Sequence, residues 1–188
     1  MQTRWRPSRD VLETALRRAQ SSGLTYDAVG LSVGPPPVGW TPLEQVTPLG
    51  RGDVLWKRIG QVLLRWDLHR EARMLLAADD TRVTVGATVV NAAPFGPLAV
   101  LAPCRVVALV EEPDRCGFAY GSLPGHPLDG KEQFTVERTD GGVLLRIRSV
   151  SRPRGLAGLA PAPARAGQRH VDRRYAAAAR RLAARDAA

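Results

Sequence analysis

The sequence predicts an α+β fold: a curved antiparallel sheet of about six strands gripping a long C-terminal helix, with an extra helix near the N-terminus. Three observations carry this expectation. Strand-like segments follow one another between residues 81 and 151 with hairpin-length links, which makes the sheet antiparallel. Segments with helical periodicity lie outside that run, at 10–20, 53–66 and 164–184, instead of alternating with the strands. The last of them is amphipathic and must lay its apolar stripe on a sheet face, leaving room for a cavity between the two. Residues 1–23 are read as an N-terminal helical extension and 24–188 as one domain of this kind.

In chain order, the first helix spans 10–20. Asp10 stands at the cap, Glu13 completes a capping-box pattern, and Val11, Leu12, Ala15, Leu16 and Ala19 form its apolar stripe. Ser21, Ser22 and Gly23 end it, 24–33 reads as a first strand, and the triple proline within 34–40 makes a rigid connection. In the second helix Asp53 is the expected cap, and Trp56, Ile59, Leu63 and Trp66 recur at helical spacing beside Val62. The strand 81–90 then alternates, with Val83, Val85, Ala87 and Val89 on one face. Segment 104–110 is apolar on both faces, as a central strand would be. Strands at 115–120, 131–138 and 142–151 follow, the last two joined by the hairpin signal Thr139-Asp-Gly-Gly142. The Pro/Ala/Gly tract 153–167 reads as a flexible tether before the final helix, whose stripe is Val171, Tyr175, Ala179 and Leu182.

Charge is unevenly placed. The chain has 188 residues and a formal net charge of +9, yet residues 1–145 hold 16 basic and 16 acidic side chains. The excess lies wholly in 146–188, with 11 Arg and 2 Asp. That Arg cluster contains one aromatic residue, Tyr175, and it sits on the apolar stripe. Single-strand binding interleaves basic side chains with exposed aromatics, so a solvated helix face is the better reading and a nucleic-acid partner is disfavoured. No apolar run approaches the roughly 18 residues of a membrane span, and the first seven residues lack a signal peptide's apolar stretch. Two cysteines, Cys104 and Cys116, make no disulfide framework. The expectation is a cytoplasmic protein, monomer or homodimer, with no cofactor.

Several apparent motifs fail on mechanism. Gly125 to Lys131 matches the start of a phosphate-binding loop, but Glu132 stands where Ser or Thr would hold magnesium, and a strand follows instead of a helix. His69, His126 and His170 are scattered and lack zinc-ligand spacing. Ser122 lies outside any nucleophile elbow, and Cys104 falls within an apolar strand.

Strand parity is more informative. Glu132 shares a face with Phe134 and Val136, Arg105 with Val107 and Leu109, and Phe118 with Tyr120. If the apolar faces look inward, Arg105 and Glu132 are charges at the ends of buried rows. Parity alone favours a structural Arg105–Glu132 bridge. The alternative is a cavity whose polar groups orient a ligand, with Glu132 or His126 available for proton transfer.

Residues 104–134 carry Cys104-Arg-Val-Val107, Gly117-Phe-Ala-Tyr-Gly-Ser-Leu-Pro-Gly-His-Pro127 and Gly130-Lys-Glu-Gln-Phe134. Together with Tyr26-Asp-Ala-Val-Gly30, Gly50-Arg-Gly52, Leu64-Arg-Trp66, Val85-Gly86, Ser149-Val-Ser-Arg-Pro153 and Gln168, they resemble the family called domain of unknown function 1990, over roughly residues 24–180. Two departures stand out: Ser122 replaces a usual Thr, and Lys131-Glu132 replaces two acids, which leaves Glu132 alone in any acidic role. The strand–helix order is similar to the START-like, polyketide-cyclase-like helix-grip folds, and this implies an apolar ligand between sheet and C-terminal helix. Trp66, Phe118, Tyr120 and Phe134 would then line the pocket with Ser122, and Arg105 or Arg152 would anchor a polar group. The resemblance implies either binding of a hydrophobic or aromatic small molecule or a cofactor-independent cyclase, lyase or isomerase of secondary metabolism. In the enzyme, Glu132 or His126 would be the acid/base and Tyr120 the donor to a carbonyl.

Overall fold

The structure is a computed structural model, and it describes residues 3–27, 36–159 and 161–185. Its elements run β1 (Thr3–Trp5), α1 (Arg9–Gln20), β2 (Thr41–Gly50), α2 (Asp53–Leu64), α3 (Asp67–Glu71), β3 (Leu75–Ala78), β4 (Thr88–Phe95), β5 (Leu98–Glu111), β6 (Arg115–Ser122), β7 (Leu128–Thr139), β8 (Gly142–Pro153), α4 (Leu156–Leu159) and α5 (Pro161–Ala184). All strand pairs are antiparallel in one sheet of order β2-β8-β7-β6-β5-β4-β3, with the short β1 pairing β5 beyond the end of β6. The sheet closes around α5, so the expected α+β class and sheet-on-helix layering are what the chain adopts.

Several expectations shift. The anticipated strand at 81–90 begins only at Thr88, because the Asp80 carboxylate binds the Arg82 N–H and the Thr84 hydroxyl and holds 80–87 as a loop. β2 was not anticipated, and its Pro42 and Pro48 explain why. Proline cannot donate to a ladder, yet β2 is an edge strand, where alternate N–H groups face away from the partner. Residues 24–27 of the expected strand 24–33 are not strand, and the remainder lies outside the described residues. The tract after Pro153 is helical from Leu156 rather than a tether, with Pro161 opening α5 where a missing N–H costs nothing. Asp10 and Asp53 lie inside their first turns instead of capping them, and Glu13 pairs with Arg9 at 2.8 Å.

The predicted helix 53–66 breaks at Trp66, whose left-handed backbone (φ 63°) turns the chain from α2 into α3. That turn buries the indole completely, with its Nε1–H donating to the Asp80 carbonyl at 3.3 Å. Trp66, His69, Phe118, Phe134 and Tyr175 form one aromatic cluster with centroids 5.0–5.5 Å apart along its closest contacts. They fill the space between sheet and α5 at the end that α2 and α3 cover.

On the opposite sheet face, Leu12 and Ala19 of α1 pack on Val90, Ala92, Leu101 and Leu123. Arg105 belongs to this face. Its guanidinium donates to the carbonyls of Ala19, Gln20 and Ser22 at 3.1, 2.8 and 2.8 Å, closing the C-terminal end of α1. The Arg105–Glu132 bridge is therefore absent. A register shift between Val106 and Ala108 explains the error, since it puts Cys104, Val106 and then Leu109 inward, and Arg105 outward.

Several arginines of the basic segment are structural. Arg174 donates to the carbonyls of Ala72, Arg73 and Pro94, and Arg181 and Arg185 both reach Glu71. These bonds tie α5 to α3 and the sheet. No helix among the described residues is long and apolar enough to cross a membrane.

Candidate functional site

Toward its other end the inner sheet face changes character. Moving along β7 from Val136 and Phe134 the next inward residue is Glu132, and along β8 from Leu145 and Ile147 come Ser149 and Ser151. β6 runs from Phe118 through Tyr120 to Ser122, and β4 carries Asn91 between Val89 and Ala93. Over this polar floor lies the N-terminal half of α5, whose cavity-facing positions include Ala164 and Gly167, so little side-chain volume descends there. The result is a cavity of about 370 Å³, within the range typical of small-molecule sites. Its walls include Met74, Ala93, Phe95, Val100, Val171 and Tyr175.

Helical spacing places Gln168, Asp172 and Tyr175 on the α5 face toward the sheet. Gln168 donates to Ser149 Oγ at 2.8 Å, and the ladder sets Ser149 beside Glu132. Tyr120, opposite Glu132 on β6, donates its hydroxyl to Glu132 Oε2 at 2.8 Å. Asp172 is 3% exposed, and its Oδ1 has no hydrogen-bond partner. Glu132 and Asp172 thus face one another's field in a poorly solvated pocket. Burial, then the neighbouring Asp172 charge, pushes Glu132 up to about 8 against the Tyr120 hydrogen bond, and burial pushes Asp172 up to about 7. Burial, reinforced by Glu132, also raises the Tyr120 and Tyr175 phenols well above their ordinary value, so both remain neutral.

The structure brings Glu132, Tyr120, Ser122 and His126 to the cavity. His126 is held by its own turn, with Nδ1 3.0 Å from the Leu128 N–H and 2.7 Å from the Leu128 carbonyl, and burial lowers it to about 4. Ser122 accepts from the Gly130 N–H at 2.8 Å, closing the loop between β6 and β7. Five expected pocket residues lie elsewhere. Trp66, Phe118 and Phe134 are fully buried in the aromatic cluster, Arg105 closes α1, and neither group borders the cavity. Arg152, the other proposed anchor, pairs with Asp129 and stacks its guanidinium on Trp40, away from the cavity walls. Asp172 was missed. Its signal was an acid at the head of an apolar stripe that continues through Tyr175, Ala179 and Leu182. It brings a second carboxyl from α5 into the field of Glu132. No group of three His, Cys, Asp or Glu side chains among the described residues could hold a metal ion.

The glycines of the 117–130 segment have a steric cause. A Cβ at Gly117 (φ 156°) would strike the Phe134 carbonyl, and one at Gly130 (φ 153°) the Val150 carbonyl, so both serve close strand crossing around the site.

The family described as "Domain of unknown function (DUF1990)" matches residues 25–178. The chain belongs to this family. A UPF0548 protein from Deinococcus radiodurans is 38% identical over 153 residues, which cover 70% of this chain and 74% of that protein. Among solved structures, Ara h 8.0201 is similar over 77% of this chain and 98% of its own, with a TM-score of 0.53 and 14% identity. Protein MLL2253 from Mesorhizobium loti is similar over 78% and 98%, with a TM-score of 0.52 and 19% identity. At such identities these likenesses establish the shared helix-grip fold, and the DUF1990 family itself carries no activity in its description.

Proposed function

We propose that this DUF1990 chain binds a hydrophobic or aromatic small molecule in the cavity between its sheet and α5. The observation that carries the reading is an unfilled, mostly apolar space of about 370 Å³ ending in convergent polar groups, next to a region of the same interface that is packed solid. Trp66 and its neighbours could have filled the whole interface, and they fill one end of it. Native mass spectrometry of freshly purified protein should reveal a retained small molecule. The neutral fluorescent probe N-phenylnaphthylamine should bind saturably, and Val171→Trp, which plugs the cavity from α5, should weaken it by at least ~10-fold. Absence of both a retained molecule and saturable probe binding would overturn the proposal.

A second reading, a cofactor-independent cyclase, lyase or isomerase, is favoured by one arrangement: Tyr120 bonded to Glu132, with Asp172 opposing it. A carboxyl titrating near neutrality can take and return a proton, while Tyr120 steadies a developing oxyanion. Glu132→Gln should then cost roughly 10²–10⁴ in turnover of a substrate found by the mass-spectrometric route, and retention within ~10-fold would exclude the enzyme.

A further inference from the structure

The polar end of the cavity has an unbalanced electrostatic inventory. Its inward ionisable groups are Glu132 on β7, Asp172 and Tyr175 on α5, Tyr120 on β6, Cys104 on β5, and His126 in the loop before β7. Every one is acidic or neutral: burial holds His126 uncharged, and burial raises the Cys104 thiol. The cations expected to anchor a ligand point away, Arg105 into α1 and Arg152 onto Asp129 and Trp40. Lys131 borders the cavity, but its strand neighbour Glu132 takes the inward direction, and Lys131 makes no ion pair among the described residues.

An independent observation points to a guest. Asn91, 2% exposed on β4 and bordering the cavity, leaves its Oδ1 without a hydrogen-bond partner, as Asp172 does its own Oδ1. Buried polar atoms are nearly always paired, so two orphaned oxygens on the walls of one cavity mark places where a donor belongs. Gln168, between Ser149 and Ser151, already has its amide engaged and adds no competing cation.

We propose that the Glu132–Asp172 end of the cavity receives an organic cation, an apolar or aromatic amine whose ammonium lies between the two carboxyls while its body rests on the apolar walls. This rests on the binding function proposed above and names its ligand class. The ammonium supplies both the missing charge and the missing donors. Its arrival favours the ionised form of both carboxyls, so binding releases the proton they hold in the empty site. Affinity for a permanently protonated amine therefore rises as pH increases from about 6 to about 8, whereas a neutral analogue shows no such rise.

The test uses three probes with one ring system: naphthylmethylamine, naphthylmethanol and naphthoate, titrated calorimetrically into the 188-residue chain. The amine should bind at least ~10-fold more tightly than the alcohol near pH 8, and naphthoate most weakly. Glu132→Gln and Asp172→Asn should each erase most of that preference, with unchanged near-ultraviolet circular dichroism reporting that the variants fold. Naphthoate matching the amine, or a preference that survives the double variant, would overturn the inference. If none of the three binds but N-phenylnaphthylamine does, the cation assignment falls and the binding function stands. If that probe also fails, both fall.

Discussion

The interface between sheet and C-terminal helix has two ends built on opposite principles. At the α2–α3 end, Trp66, His69, Phe118, Phe134 and Tyr175 interlock with no space between them, and even the imidazole of His69 is enclosed without a hydrogen-bond partner. At the other end the same strands present Ser122, Glu132, Ser149 and Ser151 to a cavity beneath the N-terminal half of α5. The first maximises dispersion contacts and apolar burial and so anchors the fold. The second carries buried acids and orphaned oxygens, each of which costs stability in the empty protein. What separates them is one inward-facing position on each strand, two residues along, from Phe134 to Glu132 on β7 and from Ile147 to Ser149 on β8.

The sharpest way to break this contrast is Trp66→Ala. Loss of the largest fully buried side chain among the described residues should destabilise the protein by about 3–5 kcal/mol in urea unfolding, far more than truncations on the cavity walls such as Val171→Ala.

The two ends also predict opposite responses to pH. His69 is buried neutral, with burial and then the Arg70 charge depressing it to about 3, so the unfolded chain binds its proton more readily. Its contribution is complete above the unfolded value near 6.5 and is lost as pH falls toward 3. Glu132 and Asp172 are raised, so the folded chain holds their protons more tightly. Their contribution is complete below about pH 4 and is lost as pH rises through 7 to 8. Urea midpoints measured across pH should show both limbs. His69→Leu should flatten the acid limb, and the Glu132→Gln, Asp172→Asn double variant the neutral-to-alkaline one.

A smaller effect of opposite sign follows for Asp172→Leu. Replacing a buried, unpaired carboxyl with an apolar side chain should raise stability by about 1–2 kcal/mol while abolishing the amine preference, a trade-off characteristic of binding sites. The smallest effect belongs to the solvent face of α5. Arg169→Ala should change stability by less than about 0.5 kcal/mol, because Arg169 is exposed, whereas its neighbour Arg174 is bonded to three carbonyls.

The sequence was informative wherever local chemistry and tertiary structure agree. The Asp140-Gly141 turn and the alternation on either side of it fixed the β7–β8 hairpin, and the stripe through Tyr175, Ala179 and Leu182 fixed the buried face of α5. It misled where a non-local partner decides. The β-bulge at Val106–Ala108 inverts the parity on which Arg105 was read, and no single-strand pattern reveals a bulge that depends on β6. β2 was hidden because Pro42 and Pro48 look like breakers until its edge position is known. At the site, parity placed Glu132 on an inward row and Tyr120 on a face with Phe118, but it favoured a bridge from Glu132 to Arg105, and the pocket lining was implied only by the resemblance. Asp172 was not legible, because its significance comes from what lies opposite it across the cavity. Trp66, Phe118 and Phe134, expected to line a pocket, are packed solid instead, because sequence periodicity does not say where along an interface packing ends and a cavity begins.

The prolines of β2 have a consequence beyond their own strand. Pro42 and Pro48 sit six residues apart, on the same parity, along the outer edge of the sheet. They delete two of the donors that another chain would need to extend it, and between them Glu44 is committed to Arg146 and Arg148. The opposite edge, β3, offers only four residues. A protein that keeps one apolar interface deliberately unfilled is exposed to aggregation whenever its helix loosens, and blunted edges deny such a partly opened molecule the template on which fibrillar association starts.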